Sequence, residues 1–101
     1  MTSGLLKLLI LLVVIVPGTV RAESAGEKLF NRKCTMCHVV KGRGGAIGPD
    51  LTTVATRMSE SRLQAKIAYP KKTCPGTSMP SFATLGLPEM QALISYLKTL
   101  R

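Results

Sequence analysis

Tryptophan is absent from this chain of 101 residues, histidine occurs once, and the aromatics amount to two Phe and two Tyr. Phe30, Tyr69, Phe82 and Tyr96 are too few and too scattered to stack bases, so the formal charge of +9 does not indicate a nucleic-acid binder. The single histidine, His38, leaves no second imidazole to act as a distal acid or base. Acids are scarce as well, five in all, and a basic chain of this kind suits an acidic protein partner or a membrane surface. Missing too are the alternating apolar and polar positions of strands, internal repeats, low-complexity tracts and any linker that would divide domains. What remains is a single all-α unit.

No apolar run is long enough to cross a bilayer: the unbroken stretch Leu8 to Val16 is nine residues, where about 20 are needed. Lys7 precedes it, and Pro17-Gly18 and then Val20-Arg21-Ala22 follow. That order of basic start, apolar middle and small-residue site is a secretory signal's. Cleavage is expected after Ala22, with residues 1–22 removed and 23–101 delivered across the cytoplasmic membrane to the periplasm; the alternative is an uncleaved N-terminal anchor. The mature part keeps twelve of the fourteen Lys and Arg and all five acids, for a formal +7. A domain of 79 residues buries a marginal core and usually needs a disulfide, a metal or another staple.

Ser24-Ala25-Gly26-Glu27 is a capping box and opens a helix expected to run from Ala25 to Cys34. Gly26 and Phe30 share a face of it, and a glycine there lets another backbone cross closely. Glycines 42, 44, 45 and 48 with Pro49 make 39–53 a long loop. Ser59 caps a short helix over 60–68, which Pro70 ends. Residues 69–86, with Pro70, Pro75, Gly76 and Pro80, read as loop again. Pro88 opens a last helix whose Met90, Leu93, Ile94, Leu97 and Leu100 form one buried face. Three or more helices joined by two long loops suggest that the loops surround something.

Cys34-Thr35-Met36-Cys37-His38 is the c-type haem attachment pentapeptide. Two thiols separated by two residues reach the two vinyl groups of one porphyrin, and the adjacent imidazole is then placed at the iron. Covalent haem would also supply the missing staple. A thioredoxin-type dithiol would instead open a helix after a strand, and no strand pattern precedes Cys34. A zinc site of Cys34, Cys37, His38 and Cys74 has the right atoms, but neighbouring Cys37 and His38 would chelate awkwardly.

With these residues the mature chain resembles the class I c-type cytochromes, small carriers of single electrons with one haem. The resemblance extends to Gly26 and Phe30, to Gly48-Pro49-Asp50-Leu51, to Gly76-Thr77-Ser78-Met79-Pro80-Ser81-Phe82, and to Leu93 with Tyr96. It implies an all-α cytochrome c domain over 23–101 in which the first and last helices cross at Gly26, near Leu93 and Tyr96. It also implies one covalently bound haem c, held by Cys34 and Cys37, with His38 as an iron ligand that gives its other N–H to the Pro49 carbonyl. Leu51 would pack on the haem, a role it shares with ordinary core. Met79 would be the sixth ligand, and His/Met ligation raises a reduction potential. Met36 lies inside the attachment turn, and Met58 and Met90 read as core fillers.

Cys74 departs from the pattern; it reads as a thiol without function, then as an intermolecular disulfide, although a thiolate also ligates iron. Lys33, Lys41, Arg43, Lys71 and Lys72 flank the segments expected to rim the haem edge and would orient an acidic redox protein. The function implied is one-electron transport between periplasmic or membrane-bound redox proteins, with no substrate transformed and no nucleic acid bound. Contact with a membrane would come only through partners or an uncleaved N-terminal segment. Two other roles remain open: an electron-transfer subunit of a respiratory complex, and a haem enzyme or gas sensor with a labile sixth ligand.

Overall fold

The computed structural model describes residues 12–15, 18 and 22–101, so most of the expected signal segment, with its cleavage site apart from Ala22, lies outside the described residues. Helix α1, Ala25–Lys33, begins where Ser24 Oγ accepts a hydrogen bond from the Glu27 N–H at 3.1 Å. Glu27 in its first turn and Arg32 and Lys33 in its last complement the helix dipole. The helix stops one residue short of the expected end because Cys34, its cap, turns the chain: the N–H groups of Cys37 and His38 both donate to the Cys34 carbonyl, at 3.1 and 3.0 Å.

Helix α2, Glu60–Ala68, has the bounds the sequence indicated, with Ser59 Oγ accepting from the Arg62 N–H at 3.3 Å. Two short elements were not foreseen. Val54–Thr56 forms a 3-10 turn, and Pro70–Thr73 forms a single-turn helix, α3, inside what was expected to be loop. Pro70 ends α2, yet its fixed φ and missing N–H suit a first helical position, so the same residue starts the next turn. Helix α4, Leu87–Leu97, carries Pro88 in its first turn. Among the described residues there are no strands, only one isolated bridge between Val40 and Arg43, and the architecture is all-α.

The core lies between α1 and α4 and continues to α2. Phe30, Leu93, Leu100 and Val54 are its most deeply buried side chains, joined by Leu29, Leu63, Ile67, Ile94, Tyr96 and Leu97. Gly26 sits at the crossing: a Cβ there would run into the Ala92 carbonyl and lie 2.8 Å from Tyr96 Cβ. One turn on, the Phe30 and Tyr96 rings pack at 5.5 Å between centroids, tilted by 55°. Met90 is buried and Met58 packs against the same core, as fillers. The chain end is tied in by the Ala55 N–H, which donates to the Leu100 carbonyl at 2.8 Å. Lys98 and Glu60 make an exposed ion pair at 2.8 Å, which contributes little to stability.

Candidate functional site

The turn after α1 presents Cys34, Cys37 and His38 together, all half-buried. His38 Nδ1 donates to the Pro49 carbonyl at 2.8 Å; a carbonyl can only accept, so the proton is on Nδ1. The other ring nitrogen, Nε2, makes no hydrogen bond among the described residues. Gly48 allows this arrangement. A Cβ at that position would crowd the imidazole, 2.8 Å from Nδ1 and 3.0 Å from Nε2. The 48–52 segment is held beside 37–41 by the Gly48 N–H to the Cys37 carbonyl at 2.6 Å and the Leu51 N–H to the Val39 carbonyl at 2.8 Å.

Met79 arrives from the other long loop. That loop leaves α3 with the Cys74 N–H on the Pro70 carbonyl at 2.8 Å. It returns to the end of α2 through Ser81 Oγ on the Ala68 carbonyl, 2.6 Å, and the Phe82 N–H on the Ile67 carbonyl, 2.9 Å. Between these anchors the Met79 N–H donates to Thr77 Oγ1 at 3.1 Å.

The two loops enclose one cavity of about 440 Å³, lined by Cys34, Cys37, His38 and Pro49 from the first and by Met79, Pro80 and Phe82 from the second. Leu51 is not in its lining and packs half-buried against the core. Cys74 is exposed and also outside the lining. Burial, and secondarily the neighbouring Cys37, push the Cys34 thiol up to about 11. Redox dithiols have depressed thiol pKa values, so this shift runs against the thioredoxin-type alternative. Among the described residues no three His, Cys, Asp or Glu side chains converge on a metal position, which disfavours the zinc alternative.

The family model for cytochrome c matches residues 23–101. The chain belongs to the cytochrome c family. It is 38% identical over 96 residues to a cytochrome c of Ginkgo biloba, covering 73% of this chain and 84% of that one. It is 33% identical over 112 residues to the cytochrome c-type cyt cy of Rhodobacter capsulatus, covering 87% of this chain and 54% of that one. A cytochrome c oxidase subunit 2 of Alkalihalophilus pseudofirmus is 32% identical over 85 residues, 75% of this chain but 25% of the relative.

This cytochrome is a monohaem electron carrier with covalently attached haem c, and members of its family are generally carriers rather than enzymes. The cavity fits that group. Its walls bring two thiols, an imidazole and the thioethers of Met36 and Met79 to one largely apolar space, a donor set that suits covalent haem and its iron.

Sequence reasoning missed two members of the lining, Arg32 and Ile47, and set aside Met36, which the attachment turn places there as well. Ile47 is 72% exposed, and an apolar residue inside a Gly-rich loop was the signal that could have found it. The five cations also divide. Lys33 lines the haem cavity, and Lys71 and Lys72 line an adjoining one that shares Thr77, Ser78, Met79 and Pro80 with it. Lys41 and Arg43 instead face a third cavity beside Glu23 and Glu27.

Hydrogen bonds from Thr52, with a smaller contribution from Arg57, hold the Asp50 carboxyl below the usual range. A depressed folded pKa means stabilisation that is present above the unfolded value and lost as pH falls through the folded one. The stability difference between wild type and Asp50→Ala should therefore be constant near neutrality and shrink below the ordinary Asp range, read from urea midpoints against pH.

Proposed function

We propose that this cytochrome is exported, holds its haem through Cys34 and Cys37 with His38 and Met79 as axial ligands, and passes single electrons to a partner with an acidic docking surface. The observation that carries the reading is the one cavity into which both loops bring these four residues. Haem bound there would supply the one-electron couple, and His38 and Met79 are the residues that would hold its iron. His38 is aimed by Pro49, which also raises the basicity of the ring. The anchored Thr77–Pro80 segment presents a thioether to a largely apolar cavity. Export rests on the pattern Lys7, Leu8 to Val16 and Val20-Arg21-Ala22, which also supports cleavage after Ala22 and a periplasmic location.

Cys34→Ala and Cys37→Ala should each reduce haem retention and folded yield, since the group is both cofactor and core. Denaturing electrophoresis with haem staining reads this directly. A wild-type band free of haem would reject the assignment.

For the partner, Arg32, Lys33, Lys71 and Lys72 are the cations that line the haem cavity and its neighbour. Charge attraction of this kind acts on encounter rate and is screened over about 8 Å at physiological salt. Reversing Lys71 and Lys72 to Glu should slow electron transfer to an acidic redox protein at low salt and leave spectrum and potential nearly unchanged. A second reading, an electron-transfer unit held permanently in a respiratory complex, is favoured by the similarity to the oxidase subunit and by exposed apolar Met36 and Ile47 on the cavity lining. A rate indifferent to salt and to the reversals would select it.

A further inference from the structure

The Pro49 carbonyl can aim His38 only if its own peptide is fixed. The proline ring sets φ at residue 49, which leaves ψ, the rotation of the Pro49–Asp50 peptide, to be decided by what holds Asp50. The Asp50 N–H makes no hydrogen bond among the described residues, so its side chain and its carbonyl must do so. The carboxylate accepts from the Thr52 N–H at 2.8 Å and from the Thr52 hydroxyl. The Asp50 carbonyl accepts from Arg57 Nη2 at 2.8 Å.

Thr52 extends the link across the loop. Its Oγ1 accepts from the Lys41 N–H at 2.8 Å while its hydroxyl proton goes to Asp50. Lys41 has a φ of 51°, a left-handed conformation that a non-glycine residue holds only when something else fixes it. One hydroxyl thus joins the residue after Pro49 to the strained end of the segment that begins at His38.

We propose that Asp50 and Thr52 are positioning residues for the axial imidazole, fixing the Pro49 carbonyl against His38 Nδ1 through the bridge to Lys41. The inference rests on His38 being an iron ligand. Loosening the bridge weakens the Nδ1–H bond, makes the ring less basic, stabilises the ferric state less and so raises the reduction potential.

The test uses the haem-loaded protein, with exchange of the His38 Nδ1 proton followed by NMR and the potential by voltammetry. Thr52→Val and Asp50→Ala should speed that exchange on the order of tenfold and raise the potential. Thr52→Ser and Asp50→Asn keep an acceptor and a donor where they are needed and should stay near wild type. Ile94→Val, in the buried face of α4, controls for general destabilisation. If Thr52→Val exchanges no faster than this control, or if Thr52→Ser behaves like Thr52→Val, the positioning role is overturned. If the wild-type His38 ring lacks the shifts of an iron ligand, the axial assignment itself falls and takes the inference with it.

Discussion

Gly26→Ala should lower the stability of the haem-loaded protein by about 1–2 kcal/mol, and Gly26→Val should leave little folded protein. On an exposed helix the alanine would stabilise by roughly 0.8–1 kcal/mol through helix propensity. Here the added carbon meets the Ala92 carbonyl, which is backbone and moves only if α4 moves with it. Overpacking of this kind costs typically about 1–3 kcal/mol, so it outweighs the propensity gain. The two effects have opposite sign, and a chemical denaturation midpoint decides between them. A midpoint equal to or above wild type would mean that α1 and α4 do not meet at Gly26.

Met79→Ala should lower the reduction potential by a sizeable part of the roughly 0.8 V that axial ligands span, and should let carbon monoxide bind the reduced protein. Met58→Ala and Met90→Ala should do neither. Met90 is buried and Met58 half-buried against the core, so their truncation costs stability, about 2–5 kcal/mol for a fully buried Met. Met79 differs because it lies on the cavity, on a segment pinned at Ser81 and Phe82. The ferric sulfur-to-iron absorption band reads the outcome. Its survival in Met79→Ala would remove Met79 from the iron, and its loss in Cys74→Ser would transfer the role to the exposed thiol.

Elements set by local chemistry were legible in the sequence. Ser24 and Ser59 mark their helices because a hydroxyl satisfies N–H groups that the helix cannot, and the structure has both caps. Gly26 was legible as a crossing because a buried helix glycine has few other uses. The same local reading missed α3, since Pro70 signals an end and a beginning with one residue. The attachment turn and the Pro49 contact followed from motif and resemblance. The division of the cations did not, because sequence neighbours of the haem loops can face different cavities: Lys41 and Arg43 turn toward Glu23 and Glu27. Leu51 was ambiguous between core and cavity, and packs on the core. The bridge through Thr52 was invisible because nothing about an isolated threonine announces which loop it will join.

The crossing of α1 on α4 joins segments from nearly opposite ends of the domain, and everything that lines the cavity lies on chain between Gly26 and Ala92, where they meet. Once that pair is docked, the intervening chain is a closed loop, and lengthening a closed loop is cheap, roughly 0.6 kcal/mol for each doubling. Insertions or deletions in 39–53 or 74–86 would therefore change the reach and polarity of the haem surroundings while the clasp stays the same. The clasp has no such freedom, because it depends on a missing side chain at Gly26. In this domain the tolerance for change in length lies in the loop residues between the anchored segments, whereas Gly26 outside the cavity admits as little change as Gly48 inside it.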